Sequence, residues 1–300
     1  MNTGIFASVA AVAAFTSISN AGILNQYNLI VTGNLSSQSE VEGRTLIGGS
    51  LSGSASNYGV MLNPVQSLGT DVLIVGGNIN AQNINMNAGN LRLGGTNNTQ
   101  NLNFNGGGQL ITDPSISGIG ATVAAELIAN SQALSQLAAT NTVNFPSPQP
   151  GPLNFQCIPD SNGVAVFNVP GSLVFSNNNV QSIDINFNGA TNVIINVTGA
   201  SINFTQGNFV GNFTSLFARS RVLWNFHQAT NVDIGGKAFN GAMLAPSANL
   251  FSQGVNEGSV FVSSFTQFGE VHLPGYLGIV PAPGVAAFPI AALLMARRRR

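Results

Sequence analysis

Ionisable side chains are what this sequence has least of. Asp, Glu, Lys and Arg make up 6% of its 300 residues, against roughly 25% in an average soluble protein. There are nine Lys and Arg in all, and four of them are the last four residues, Arg297 to Arg300. Without these the body carries Arg44, Arg92, Arg219, Arg221 and Lys237 against ten acids. A Lys-poor, mildly acidic surface of this kind excludes nucleic acid, which needs clustered cations for its phosphates. Cysteine occurs once, at Cys157, so no intramolecular disulfide can form, and a small buried side chain is the expected role. Histidine occurs twice, at His227 and His272, with no HxxxH or CxxC spacing to suggest a metal centre.

The polarity comes instead from Gly, Asn, Ser and Thr, and 44% of the chain is hydrophobic, too much for a disordered segment. Short apolar alternations cut by Gly and Asn recur from Gln26 to Gly95, as in "YNLIVTGNLS", "GRTLIGGSLSG" and "DVLIVGGNINAQNINMNAGNLRLGG". They resume after Gly151, where Ile183, Ile185 and Phe187 alternate with Asp184 and Asn186. Short strands with Asn and Gly at the corners predict a mainly β chain, a parallel β-solenoid in which Asn stacks between coils, with a β-sandwich as the alternative. One segment departs from this pattern. Val123, Leu127, Leu134 and Leu137 in "GATVAAELIANSQALSQLAAT" recur at helical spacing, so a helix over about 118–140 is expected to lie alongside the β structure.

Both ends read as addresses. Ile5 to Phe15 is an apolar run of signal-peptide length, and Ser19-Asn20-Ala21 places small residues for cleavage between Ala21 and Gly22. At the other end "VPAPGVAAFPIAALLMARRRR" joins an apolar stretch to the arginine cluster, as expected of a membrane-entering segment with its basic end on the cytoplasmic side. The expected organisation is a signal peptide over 1–21, one β domain over 22–278 and a sorting and anchoring segment over 279–300.

The tail resembles the PEP-CTERM sorting signal: a proline motif (Pro281, Pro283, Gly284), an apolar stretch and a basic cluster (Arg297, Arg298, Arg299, Arg300). The motif lacks the usual Glu and is similar to a known variant. The body resembles the choice-of-anchor A family through "NLIVTGNLSSQSEVEGRTLIGG", "VLWNFHQATNVDIGG", "GAMLAPSANL" and "GSVFVSSFTQFGEVH", which occur in order over most of 22–278. These resemblances imply an exported cell-surface or matrix protein of adhesive or structural role. They imply as partners a sorting peptidase of exosortase type, the membrane through the C-terminal segment, and extracellular polysaccharide or other surface proteins.

Candidate chemistry is sparse, and no catalytic, cofactor or metal site is expected. Glu40 and Glu42 are spaced for one strand face beside Arg44, Glu270 stands near His272, and Asp184 points away from its apolar neighbours. An extracellular polysaccharide lyase or glycosidase is the alternative function, and three or more ionisable side chains in one groove would favour it. Ca2+ has Asp160 and Asp184 as its best donors, without an EF-hand or GGxGxD repeat. Gly48-Gly49, Gly76-Gly77 and Gly94-Gly95 read as turn glycines, since no GxxxxGK[ST] follows. Asn34, Asn97, Asn196, Asn203 and Asn212 head N-x-[ST] triplets. An ice-binding face would need a regular threonine array, which the sequence lacks.

Overall fold

The structure is a computed structural model and describes residues 18–20 and 22–281. Ala21, Pro283, Gly284 and Arg297 to Arg300 lie outside the described residues; Gly22 opens a short 3-10 helix and Pro281 is the last strand residue.

The chain is mainly β with one long helix, and its strands form parallel sheets. Successive circuits of the chain add strands to three faces, in a solenoid-like stack with about 4.8 Å between neighbours. The first face runs through Leu110–Thr112, Asn90–Leu93, Asp71–Val75, Thr45–Ile47, Leu29–Val31, Val260–Gln267, Ala242–Ser252, Val222–Asn225, Asn192–Thr198 and Val164–Pro170. Val260–Gln267 and Ala242–Ser252 are long enough to bend round into the second face, where they meet Leu35–Ser37 and Asn231–Gly235. The third face runs from Asn101–Phe104 through Asn83–Met86, Ala55–Tyr58, Glu40–Val41, Val271–His272 and Asn256–Glu257 to Phe239–Asn240. Among the described strand pairings only Ile18–Asn20 with Ile279–Pro281 is antiparallel, whereas a sandwich is built from antiparallel sheets.

The order of the stack departs from the order of the sequence. The first circuit, at Leu29–Val31 and Glu40–Val41, pairs with the last, at Val260–Gln267 and Val271–His272. The chain therefore starts in the middle of the stack and builds to one end at Leu110–Thr112. It then crosses over by the helix Ile119–Ser135 and builds back from the other end.

The helix falls inside the expected 118–140 and lies on the outer side of the first face. Val123, Leu127 and Leu134 pack against Ile30, Leu46, Ile74, Ile194, Leu223, Leu244 and Phe261. Burying each leucine is worth about 2 kcal/mol. Strands of the first face are thus buried on both sides, which is why they read as unbroken apolar runs such as "DVLIV". Polar pins fix the helix in register. Asn225 Nδ2 donates to the Ser131 carbonyl at 2.9 Å and to Asn196 Oδ1 at 2.8 Å, while Asn196 Nδ2 donates to the Leu134 carbonyl at 2.9 Å.

Gly48, Gly76 and Gly94 stack in a column under the start of the helix and serve close approach, not turns. A Cβ on Gly48 would collide with the Gly120 Cα and the Thr32 carbonyl oxygen, and one on Gly76 or Gly94 with the carbonyl of the glycine one circuit away. Inside the stack a second core is dominated by aromatic rings. Trp224 is surrounded by Phe155, Phe175, Phe209, Phe213 and Phe239, with centroids 5.5–5.9 Å away.

Candidate binding surfaces

The helix covers the first face and leaves the second and third open. On the second face the side chains alternate. Leu35, Leu51, Ile202, Val232, Leu250 and Phe265 point inward and are buried, while their neighbours form two outward rows. One row carries Asn34, Ser264, Asn249, Asn231 and Ser201, and the other Ser52, Ser36, Thr266, Phe251, Asp233 and Asn203. The parallel register holds the rows in line from one circuit to the next. Side chains tie neighbouring circuits together: Asn34 Oδ1 accepts from the Ser50 N–H at 2.8 Å, Asn78 Oδ1 from the Thr96 N–H at 2.8 Å, and Ser264 Oγ pairs with Asn249 Oδ1. Asp233 is the one ionisable side chain in these rows. Its Oδ1 accepts from the Gly235 N–H at 2.8 Å.

The upper third face is an asparagine ladder of the kind expected from the sequence. Asn103 Nδ2 donates to Asn85 Oδ1 at 2.9 Å and Asn85 Nδ2 to Asn57 Oδ1 at 2.8 Å. Below Asn57 the same column becomes acidic, because Glu40 pairs with Asn57 in register. Here Glu40, Glu42, Glu257 and Glu270, four of the chain's ten acids, gather around one imidazole. His272 Nε2 lies 2.6 Å from Glu270 Oε2 and 3.9 Å from Glu42 Oε1; its Nδ1 lies 3.1 Å from Glu257 Oε2. Arg219 reaches in from the short helix Leu216–Arg221 to Glu257 Oε2 at 2.6 Å. Glu42 Oε2 also accepts from the Leu273 N–H at 2.6 Å. Sequence reasoning saw Glu40 with Glu42 and Glu270 with His272, but as separate pairs. Stacking Val271–His272 beside Glu40–Val41 joins them, and the circuit that ends at Glu257 stacks on the other side of Val271–His272. Arg44, expected beside Glu40 and Glu42, turns away to donate to the Asp71 carbonyl at 3.1 Å and to cover the Tyr27 ring.

The electrostatics follow from this crowding. Burial alone lowers the His272 pKa, but the hydrogen bond to Glu270 and the charges of Glu42 and Glu257 outweigh it, so the net shift is upward. The Glu40 carboxyl is raised by burial first, then by Glu270 and Glu42. A raised His pKa stabilises the fold fully below the unfolded value near 6.5, and that contribution is lost as pH rises through the higher folded value. The melting temperature is therefore expected to fall between pH 6 and pH 9 by about 1–3 °C, and His272→Asn to flatten that slope. Differential scanning calorimetry across this range checks it; an unchanged slope in the variant would contradict it.

The other candidate residues do not join the cluster. His227 follows the first-face strand Val222–Asn225, away from His272, and burial lowers its pKa. Asp184 Oδ1 accepts from the backbone N–H groups of Ile185 and Asn212, both at 2.8 Å. Asp160 Oδ1 does the same for Asn162 and Val164, both at 2.9 Å. Asp160 therefore holds a turn, and Asp184 ties its strand Val180–Asn186 to the 3-10 helix Gly211–Thr214 of the next circuit. Among the described residues no group of three or more His, Cys, Asp or Glu is arranged to hold a metal ion, and both nitrogens of His272 already face carboxylates. Cys157 is buried, and burial pushes its thiol up to about 12. Asn196 is 2% exposed and holds the helix, so it is closed to glycosylation in the folded chain.

Beside the cluster an open groove of about 680 Å³ is lined by Glu42, Met61, Leu216, Phe217, Ser220, Leu273, Pro274 and Gly275. Among the described residues no helix is long and apolar enough to cross a membrane. The chain matches the family model described as "Putative Ice-binding-like adhesive domain" over residues 20–273. No curated protein and no solved structure matches it.

Proposed function

Because the chain belongs to the ice-binding-like adhesive domain family, we propose that it is an exported surface adhesin built on a β-solenoid, attaching through its second face. Family membership supports an adhesive role at the cell surface or outside the cell. The observation that carries the finer reading is the pair of in-register outward rows, Asn34 to Ser201 and Ser52 to Asn203, with one ionisable side chain between them. An in-register array made mostly of uncharged hydrogen-bonding groups suits repeated, salt-insensitive contacts to matrix polysaccharide or another surface, each weak and together strong. Asn and Ser dominate the rows and Thr266 stands alone of its type in them, which favours a polysaccharide or protein surface over ice.

In this reading the segment 1–21 directs export and is removed between Ala21 and Gly22. The PEP-CTERM-like tail, with Pro281, Pro283, Gly284 and Arg297 to Arg300, engages an exosortase-type peptidase and holds the body at the membrane. The choice-of-anchor A pattern accords with this division of labour. One adhesion experiment tests both parts in cells producing the chain. Asn249→Lys with Asn231→Lys is expected to lower attachment to matrix polysaccharide about tenfold while surface display is unchanged. Serine at Arg297 to Arg300 is expected to release the protein to the medium. Full attachment by the lysine variant would overturn the assignment of the face; full retention by the serine variant would overturn the anchor.

The gathering of Glu40, Glu42, Glu257, Glu270 and His272 favours a second reading, a polysaccharide-cleaving enzyme with Glu40 as a carboxylic acid of raised pKa. Most of these groups are held by one another, by Arg219 or by the Leu273 N–H, which supports a structural knot instead. Release of oligosaccharides by the full chain, lost in Glu40→Gln, would favour the enzyme.

A further inference from the structure

We infer that the groove beside the carboxylate cluster is a second binding site, and that its occupant is a polypeptide segment in which apolar side chains precede Arg or Lys. This inference does not depend on the adhesive reading of the second face, from which the groove is separate.

The groove is formed where three parts of the chain meet: Met61, the short helix Leu216–Arg221, and the turn Leu273–Gly275. Its wall is mainly apolar. Met61 is 64%, Leu216 66% and Phe217 39% exposed, so three large apolar side chains stand open to solvent along one groove. Phe217 is held upright against Phe187, centroids 4.7 Å apart. One carboxylate, Glu42, enters the groove, and its two oxygens differ. Oε2 is engaged by the Leu273 N–H at 2.6 Å, whereas Oε1 has only the long 3.9 Å approach to His272. Oε1 therefore retains acceptor capacity for a donor from outside, and Glu270, with its side chain 49% exposed, faces the same imidazole nitrogen. Arg219 and His272 balance only part of the four carboxylates.

Charge and shape choose the occupant. An anionic membrane surface is repelled by the carboxylates, and a neutral sugar needs more hydrogen-bonding groups than this wall offers. An aliphatic side chain filling the apolar wall, followed by a guanidinium or ammonium group at Glu42 Oε1, uses both features. The chain itself contains such a segment, "AALLMARRRR" over 291–300, which supplies the probe.

The test uses the full chain with Arg297 to Arg300 replaced by serine, so that its own tail does not compete. Fluorescence anisotropy is measured with three labelled peptides, AALLMARRRR, AALLMASSSS and GGSGGSRRRR. The first is expected to bind with a Kd of order 10 μM, weakening with salt, and the other two at least about tenfold more weakly. Glu42→Gln and Leu216→Ser should each reduce binding of the first about fivefold or more. Leu216→Ser changes an exposed side chain, so it leaves folding intact if Glu42→Gln does not. Equal binding of GGSGGSRRRR would reduce the site to nonspecific acidity and overturn the inference. So would no binding of AALLMARRRR, binding unaffected by Leu216→Ser, or tighter binding of glucosamine oligomers than of the peptide.

Discussion

Replacing Trp224 by alanine is expected to destabilise the fold by about 3–5 kcal/mol. The indole is fully buried in the stack and touches the rings of Phe155, Phe175, Phe209, Phe213 and Phe239, with its Nε1 donating to the Asn240 carbonyl at 3.0 Å. Removing it opens a cavity that cannot collapse, because the strands on each side are held at the fixed spacing of the parallel ladder. It also leaves the Asn240 carbonyl without this donor. Guanidinium denaturation followed by circular dichroism measures the loss. A cost below about 1 kcal/mol would mean that the aromatic core repacks freely.

The second large effect is expected at Gly48. Gly48→Val should cost about 3 kcal/mol through overpacking and free the start of the long helix, because the added side chain meets backbone on both sides, the Gly120 Cα and the Thr32 carbonyl. Backbone cannot rotate away as a side chain can, so the helix must lift. Gly118→Ala, two residues before Gly120, is the control: nothing lies within 4 Å of its added Cβ, and a change within about 0.5 kcal/mol is expected. Chemical denaturation gives the stabilities, and the rate of proteolysis within Ile119–Ser135 reports whether the helix has lifted. Equal stabilities for the two variants would reject the glycine column as the helix seat.

How much of this was legible in the sequence depended on whether neighbours in space were also neighbours in the chain. The helix was legible, because Val123, Leu127 and Leu134 carry its period locally. The asparagine stacking was legible in part, because Asn recurs so often, although Asn57, Asn85 and Asn103 stand within strands and not at the corners where the sequence places them. The stacking period was not, since Leu29 pairs with Thr45, Thr45 with Leu73 and Leu73 with Leu91. The loop before Asp71 lengthens one circuit and hides the repeat. The glycine pairs look like turns in the sequence, which does not say that a helix lies across Gly48, Gly76 and Gly94. The acidic cluster was half visible: Glu270 and His272 share one strand end, while Glu257 and Arg219 arrive by parallel stacking and from a separate helix. A search for carboxylates facing a histidine one circuit away finds Glu257, provided the register is known.

The pairing of the first circuit with the last has a consequence for the order in which the molecule is made. Leu29–Val31 leaves the ribosome early, yet its neighbour Val260–Gln267 comes some 230 residues later. Until then Leu29–Val31 is paired on one side only, with Thr45–Ile47, and its other edge stays open. Closing that seam is a highly non-local step, with a correspondingly large loop-closure entropy. A nascent chain of this design cannot complete the stack before Val260–Gln267 has been made. It stays threadable until its final strands emerge, and once they arrive the seam closes both halves into one body.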